Sequence, residues 1–211
     1  MLIIRIDPKT PDAAVLKKAA AVLKSGGLVV YPTETAYALG SDPKSAKAVK
    51  RLFSVKGRDA SKPLPMIAAT AAMAKRFLRL DRYASALAGA FWPGPLTLVA
   101  PSAARLAPGA ASKRGESAVR VSPHAVAAAL SKALGRPVVS TSANRSGRAT
   151  AYDVPSVLAD LGTLPDLVLD AGPLKKGPVS TVVRPSGGVM EILREGAVSE
   201  DELHRALMKT L

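Results

Sequence analysis

The chemistry open to this chain lies where apolar runs stop and polar side chains follow. The first such place is Tyr31-Pro32-Thr33-Glu34-Thr35-Ala36-Tyr37-Ala38-Leu39-Gly40, where a strand-like run meets a proline and then delivers two hydroxyls and a carboxylate. Loops beyond the carboxyl ends of strands are where α/β folds gather ligands. A plain capped turn would use the same residues, with Thr33 or Thr35 satisfying backbone groups. The second is Val55-Lys56-Gly57-Arg58-Asp59-Ala60-Ser61-Lys62-Pro63-Leu64, where three cations share a loop bounded by glycine and proline. That grouping suits a polyphosphate clamp, because charge-assisted donors can converge on one anion. The chain has no Walker-type loop, so a nucleotide would be held by another device. The third, Ser140-Thr141-Ser142-Ala143-Asn144-Arg145-Ser146-Gly147, ends an apolar run with hydroxyls and an amide in series. These can hydrogen-bond phosphate or ribose oxygens without burying charge, or form a Ser/Asn-rich turn. Ser180-Thr181 and Arg194 are weaker, isolated signals.

Other chemistries lack their residues. With no cysteine there is no disulfide, thiolate nucleophile or zinc–sulfur site. The two histidines, His124 and His204, fall on predicted helices away from these loops and are assigned to surface or core. A His-based triad or zinc site therefore has little support. An oxygen-ligated magnesium ion riding on ATP phosphates stays open. Lys44, Lys47 and Lys50, with Arg51, read as one solvated helical face, and Trp92 as an aromatic anchor beside a Pro-Gly-Pro turn. Thirty Lys and Arg against 16 Asp and Glu give a formal charge of +14. That balance favours nucleic acid or nucleotide phosphates as partners, or a solubility effect spread over the surface.

Alternating periods supply the elements that must position these residues. Thr10 is expected to cap a helix with Pro11 at its first position; Val15, Leu16, Ala19, Val22 and Leu23 form its buried face and Gly26-Gly27 stop it. A second helix after Asp42-Pro43 should bury Ala46, Val49 and Phe53. Strands are expected at 28–31, 65–69, 96–100, 117–121 and 138–141, with helices starting near Thr70, Asp81 and Pro123. Ser186-Gly187-Gly188 marks a hairpin turn, and Ser199 with Glu202 a capping box for a last helix. The expectation is one α/β domain over residues 1–211 with a twisted mixed sheet flanked by helices. No apolar run reaches the roughly 18 residues of a membrane span, and the N-terminal residues lack signal-peptide order, which together suggest a cytoplasmic protein.

Taken in order, Tyr31–Gly40, Lys56–Leu64, Trp92–Leu98, Ala118–Val121, Ser140–Asn144, Ser180–Val183 and Leu193–Gly196 resemble the YrdC-like family of threonylcarbamoyl-AMP synthases. Each short motif arises often by chance; seven in sequence order do not. The resemblance implies a single domain with a deep, positively charged groove, in the short form without a C-terminal appendage. It implies a reaction of ATP, L-threonine and bicarbonate giving threonylcarbamoyl-AMP and pyrophosphate, with magnesium accompanying ATP. A transferase complex would then pass the threonylcarbamoyl group to an adenosine of tRNA. By the same resemblance Thr33, Arg120, Ser140 and Ser180 would contact threonine, with Arg120 on its carboxylate. Arg58, Lys62, Ser142, Thr150 and Arg194 would contact ATP, Lys56 would add positive field at the phosphates, and Asn144 would shape the loop or reach the nucleotide.

The first motif reads Thr35-Ala36-Tyr37-Ala38-Leu39-Gly40 where members often have Thr-Val-Tyr-Gly-Leu-Gly, and three further positions depart from the family pattern. Ile67 stands where many members carry a histidine, Glu116 where a hydroxyl is common, and Arg184 where an acidic residue follows the Ser-Thr-Val-Val run. The rival from another class is a non-catalytic RNA-binding module, a tRNA- or ribosome-associated factor on the same fold and basic surface, with tRNA or double-stranded RNA as partner. A carbamoyl-adenylate-forming maturation module is weaker, because no acylphosphatase-like or zinc-finger segment accompanies the chain.

Overall fold

Short β-branched runs and amphipathic stretches alternate in the computed structural model as their periods require; it describes residues 1–59, 63–161 and 165–210. β1 (Leu2–Arg5) leads into α1 (Ala13–Lys24), then β2 (Val29–Pro32), β3 (Tyr37–Gly40) and α2 (Ala46–Lys56). β4 (Met66–Ala68), α3 (Ala71–Lys75), α4 (Arg82–Phe91), β5 (Leu96–Pro101), β6 (Glu116–Val121) and α5 (Ala125–Leu134) follow. The remainder is β7 (Val138–Val139), β8 (Thr141–Ser142), α6 (Val154–Leu161), β9 (Leu167–Asp170), β10 (Thr181–Ser186), β11 (Val189–Arg194) and α7 (Glu200–Thr210).

The α/β class stands, but the strands divide between two mixed sheets, ordered β1-β9-β2-β3-β8 and β11-β10-β5-β6-β4-β7. The expected strand over 138–141 is where they part. Val138 and Val139 pair with β4, whereas Thr141 and Ser142 pair with β3. Ser140 is therefore the hinge between sheets, its N–H donating to the Pro65 carbonyl at 2.8 Å. Both faces of the first sheet are covered: Val30, Tyr37 and Leu39 join one apolar cluster, and Val29, Tyr31 and Ala38 the other, packed on α1 and α5. Alternate residues of one strand thus serve two cores, which is why its sequence reads as apolar throughout.

Two helix starts differ from expectation. Asp7 accepts from Lys9 N and Thr10 N, so Thr10 belongs to that turn, and Asp12 caps α1 by accepting from Val15 N at 2.9 Å. Ser45 caps α2, turning Ala48, Val49, Leu52 and Val55 inward and leaving Ala46 exposed, while Phe53 is half-buried. The capping box of α7 forms as expected, with Ser199 N donating to Glu202 at 2.8 Å. No helix among the described residues is long and apolar enough to cross a membrane.

Candidate functional site

The site is built where the sheets meet. β2 ends at Pro32 and hands Thr33 and Glu34 to a tight loop, in which Thr33 Oγ1 donates to the Ala36 carbonyl at 2.6 Å and accepts from Thr35 N and Ala36 N. Thr33 is thereby a loop-former with its hydroxyl committed. Glu34 projects across to the second sheet. Its carboxylate pairs with the Arg120 guanidinium and accepts from Ser122 Oγ. Burial pulls Arg120 down to about 10, with Tyr31 opposing and Arg194 adding to the fall, so the guanidinium that meets Glu34 is still cationic at neutral pH. Ile67 lies buried beside Arg120 in register on β4, an apolar wall at that side of the guanidinium. Tyr31, pushed up to about 12 by burial, donates from its hydroxyl to the Val139 carbonyl at 3.4 Å, next to the inter-sheet hinge.

Ser180 opens β10. Its hydroxyl shares a hydrogen bond with Thr97 at 3.0 Å, and its carbonyl accepts from Arg194 Nη2 at 2.7 Å and Nε at 3.0 Å. Gly196 makes this approach possible, since a Cβ there would fall 2.4 Å from the Val179 carbonyl oxygen and 2.6 Å from Thr181 N. Arg194 is lowered by burial and by Arg58; Arg58 is lowered by burial, with Asp59 opposing. Lys56 falls to about 8 through burial first and Arg58 second. Its ammonium lies under the third polar loop, donating to the Ser142 and Asn144 carbonyls at 2.6 Å each. The Asn144 amide nitrogen donates to the Arg145 and Arg148 carbonyls, folding that loop over the lysine.

The result is a line of cations, Arg120, Arg194, Arg58 and Lys56, each feeling the next. Cations lowered by burial and by neighbouring positive charge are a physical reason to read this line as a functional site. Arg58 Nε, Asn144 Oδ1 and His124 Nδ1 are buried without hydrogen-bond partners among the described residues. Buried orphan polar atoms are uncommon enough to call for a ligand or a role. Ser142 is half-exposed at the end of β8, and Thr150 half-exposed before α6, beside Ala151, whose carbonyl accepts from Tyr37 N. Lys62 lies outside the described residues.

His124 corrects the reading that placed both histidines away from the site. Its N–H donates to Ser122 Oγ at 3.1 Å, and burial with the Arg120 charge lowers its imidazole. Ser122 and Glu34 were likewise not assigned from sequence. The signal for Ser122 and His124 was alternation beyond Arg120, since every second residue leaving β6 returns to one side. Two of the departures from the family pattern turn out to be one: Arg184 Nε pairs with Glu116 at 3.0 Å, across the intervening β5. No cluster of three or more His, Cys, Asp or Glu side chains suited to a metal ion occurs among the described residues.

Comparisons with known proteins bear on the family and the fold. A threonylcarbamoyl-AMP synthase of Thiobacillus denitrificans is 44% identical over 138 residues, covering 62% of this chain and 70% of that one. One from Halorhodospira halophila is 43% identical over 155 residues, covering 73% and 81%. The crystal structure of P. abyssi Sua5 complexed with L-threonine superposes with a TM-score of 0.90 at 31% identity over 98% of this chain, which spans 61% of that protein's length. Residues 21–196 match the family model Sua5_yciO_yrdC, described as telomere recombination. With that match covering most of its length, the chain belongs to the Sua5/YciO/YrdC family.

Proposed function

We propose that the protein is a nucleotidyltransferase that makes threonylcarbamoyl-AMP and pyrophosphate from ATP, L-threonine and bicarbonate. The carrying observation is the line of cations Arg120, Arg194, Arg58 and Lys56, buried at both ends and more open between, flanked by Ser180, Ser142 and Asn144. One end suits an amino-acid carboxylate and the rest a polyphosphate. The likeness to a threonine-bound structure over nearly the whole chain supports that division.

Arg120 would take the threonine carboxylate, with Thr33, Ser140 and Ser180 around the substrate. Arg58, Arg194, Ser142 and Thr150 would meet ATP, joined by Lys62 from its place in the basic loop, while Lys56 and Asn144 hold the loop beneath. The threonine amine, once its ammonium form has shed a proton, adds to carbon dioxide and loses a second proton to give a carbamate; from bicarbonate the same carbamate forms as water leaves. A carbamate oxygen then bonds to the α-phosphorus as the bond to pyrophosphate breaks. Charge grows on phosphate oxygens throughout, so positioned cations and hydroxyls supply most of the stabilisation. Among the described residues there is no carboxylate cluster for magnesium, which would enter with ATP on its phosphate oxygens. The product would pass to a transferase acting on tRNA.

The test is incubation with ATP, threonine, bicarbonate and magnesium, scored for pyrophosphate. Release that needs all three substrates is expected. Release indifferent to threonine, with tRNA binding of steep salt dependence, would put the RNA-binding module in its place.

A further inference from the structure

Among the described residues Glu34 is the carboxylate that meets the cation line at its amino-acid end, through Arg120, and neither the catalytic chemistry nor the sequence motifs gave it a task. Arg120 is nearly buried, its side chain 8% exposed, and that of Glu34 is 19% exposed. Both oxygens of Glu34 are engaged, one by Arg120 and the other by Ser122. Glu34 belongs to the first sheet's loop and Arg120 to the second sheet, so the contact spans the seam at which the site is built. A carboxylate already sits on the guanidinium assigned to a substrate carboxylate.

Charge balance says what it is for. Arg194 already depresses Arg120, and Arg58 depresses Arg194. An amino acid arrives as a zwitterion, and its ammonium would meet this field unopposed. Like charges repel strongly where burial keeps water from screening them, and no neutral hydroxyl offsets that repulsion. Asp59 and Asp160 act on Arg58 and Lys56, at the other end of the line. Near Arg120 the negative charge comes from Glu34.

Resting on the reading of this site as an amino-acid pocket, we propose that Glu34 selects zwitterions. It holds Arg120 paired until the substrate carboxylate takes the guanidinium, and then accepts N–H from the substrate amine. The internal pair spares Arg120 the cost of an uncompensated buried charge. The exchange costs no net charge, because carboxylate replaces carboxylate and ammonium replaces guanidinium. An acid lacking the amine breaks the internal pair and leaves Glu34 without a cation, so the pocket rejects it. Ser122 steadies the carboxylate in its resting position.

The test is calorimetric binding of L-threonine and of (R)-3-hydroxybutanoate, the same molecule without its amine, to the full chain. The wild-type protein is expected to bind threonine far more tightly. In Glu34→Gln, threonine should weaken by about 10- to 100-fold, the loss of one charge-assisted contact. The hydroxybutanoate should bind severalfold more tightly, since Arg120 no longer has a competing carboxylate. Ser122→Ala, which keeps both charges, should preserve the wild-type preference. If Glu34→Gln does not fold, Glu34→Asp carries the test, with threonine losing more affinity than the hydroxybutanoate. Threonine binding with an unchanged ratio between the ligands in the folded Glu34 variant overturns this inference alone. Failure of the wild-type protein to bind threonine overturns the proposed function and this inference with it.

Discussion

Replacing Lys56 by methionine keeps the reach of the side chain and removes its ammonium. Two donations at 2.6 Å disappear, to the Ser142 and Asn144 carbonyls. Hydrogen bonds to a charged group contribute roughly 1.5–3 kcal/mol each. The losses are unequal: the Ser142 carbonyl keeps Asn144 N as a donor at 2.9 Å, whereas the Asn144 carbonyl loses its ammonium. Against this, burial makes the ammonium itself costly. Its fall from 10.5 to about 8 corresponds to roughly 3 kcal/mol against the charged form. The difference is a destabilisation on the order of 1–2 kcal/mol at pH 7, a drop in melting temperature of about 2–8 °C for a chain of this size. The sign with pH is fixed by the direction of the shift. Between pH 8 and 10.5 the unfolded chain holds a proton that folded Lys56 has released, so wild-type stability gains with rising pH and the variant's does not. The assay is thermal melting of both proteins from pH 7 to 10, read as their difference so that other groups cancel. The gap should widen above pH 8, and ATP affinity should fall with the loosened loop. A gap that closes as pH rises would refute the reasoning, because the ammonium would then be the stabilising form.

Gly196→Ala would drive a Cβ into the backbone of Val179–Thr181. Overpacking of this kind costs about 1–3 kcal/mol; a lower melting temperature and weaker threonine binding through a displaced Ser180 are expected, and an unchanged melt would show that the strand yields freely. Glu116 and Arg184 should couple in a double-mutant cycle by about 0.5–1 kcal/mol, as a partly exposed pair does. A cycle that sums to zero would mean that the contact is incidental and that each residue departs from the family pattern for its own reason.

Local signals were legible to the extent that their causes are local. The turn of the last hairpin sits on Gly187 and Gly188, both at positive φ, and Gly135 ends α5 in the left-handed region. Each follows from a residue type that tolerates that backbone. The start of α1 was misplaced because two caps stood two residues apart, and only the Asp7 turn decides which is free to act. The run at 138–141 was read as one strand because periodicity carries no information about which neighbour a strand pairs with. The exchange of partners at Ser140 is set by Pro65 and β3, about 75 and 100 residues away in sequence.

The candidate site divides along the same line. Residues that serve it by type, such as Arg58 in a basic loop, announce themselves; residues that serve it by partner do not. Glu34 was visible as a carboxylate between two threonines, but its partner lies 86 positions away. Glu116 and Arg184 looked like two separate departures from a family pattern and form one pair across β5. His124 was dismissed as helical, and it does sit at a helix start, yet that start is where β6 delivers Arg120. In each case the missing information is an ion pair or a neighbouring charge set by sheet order. Sheet order is the quantity that short motifs leave open, and the function of this site depends on it more than on any single motif.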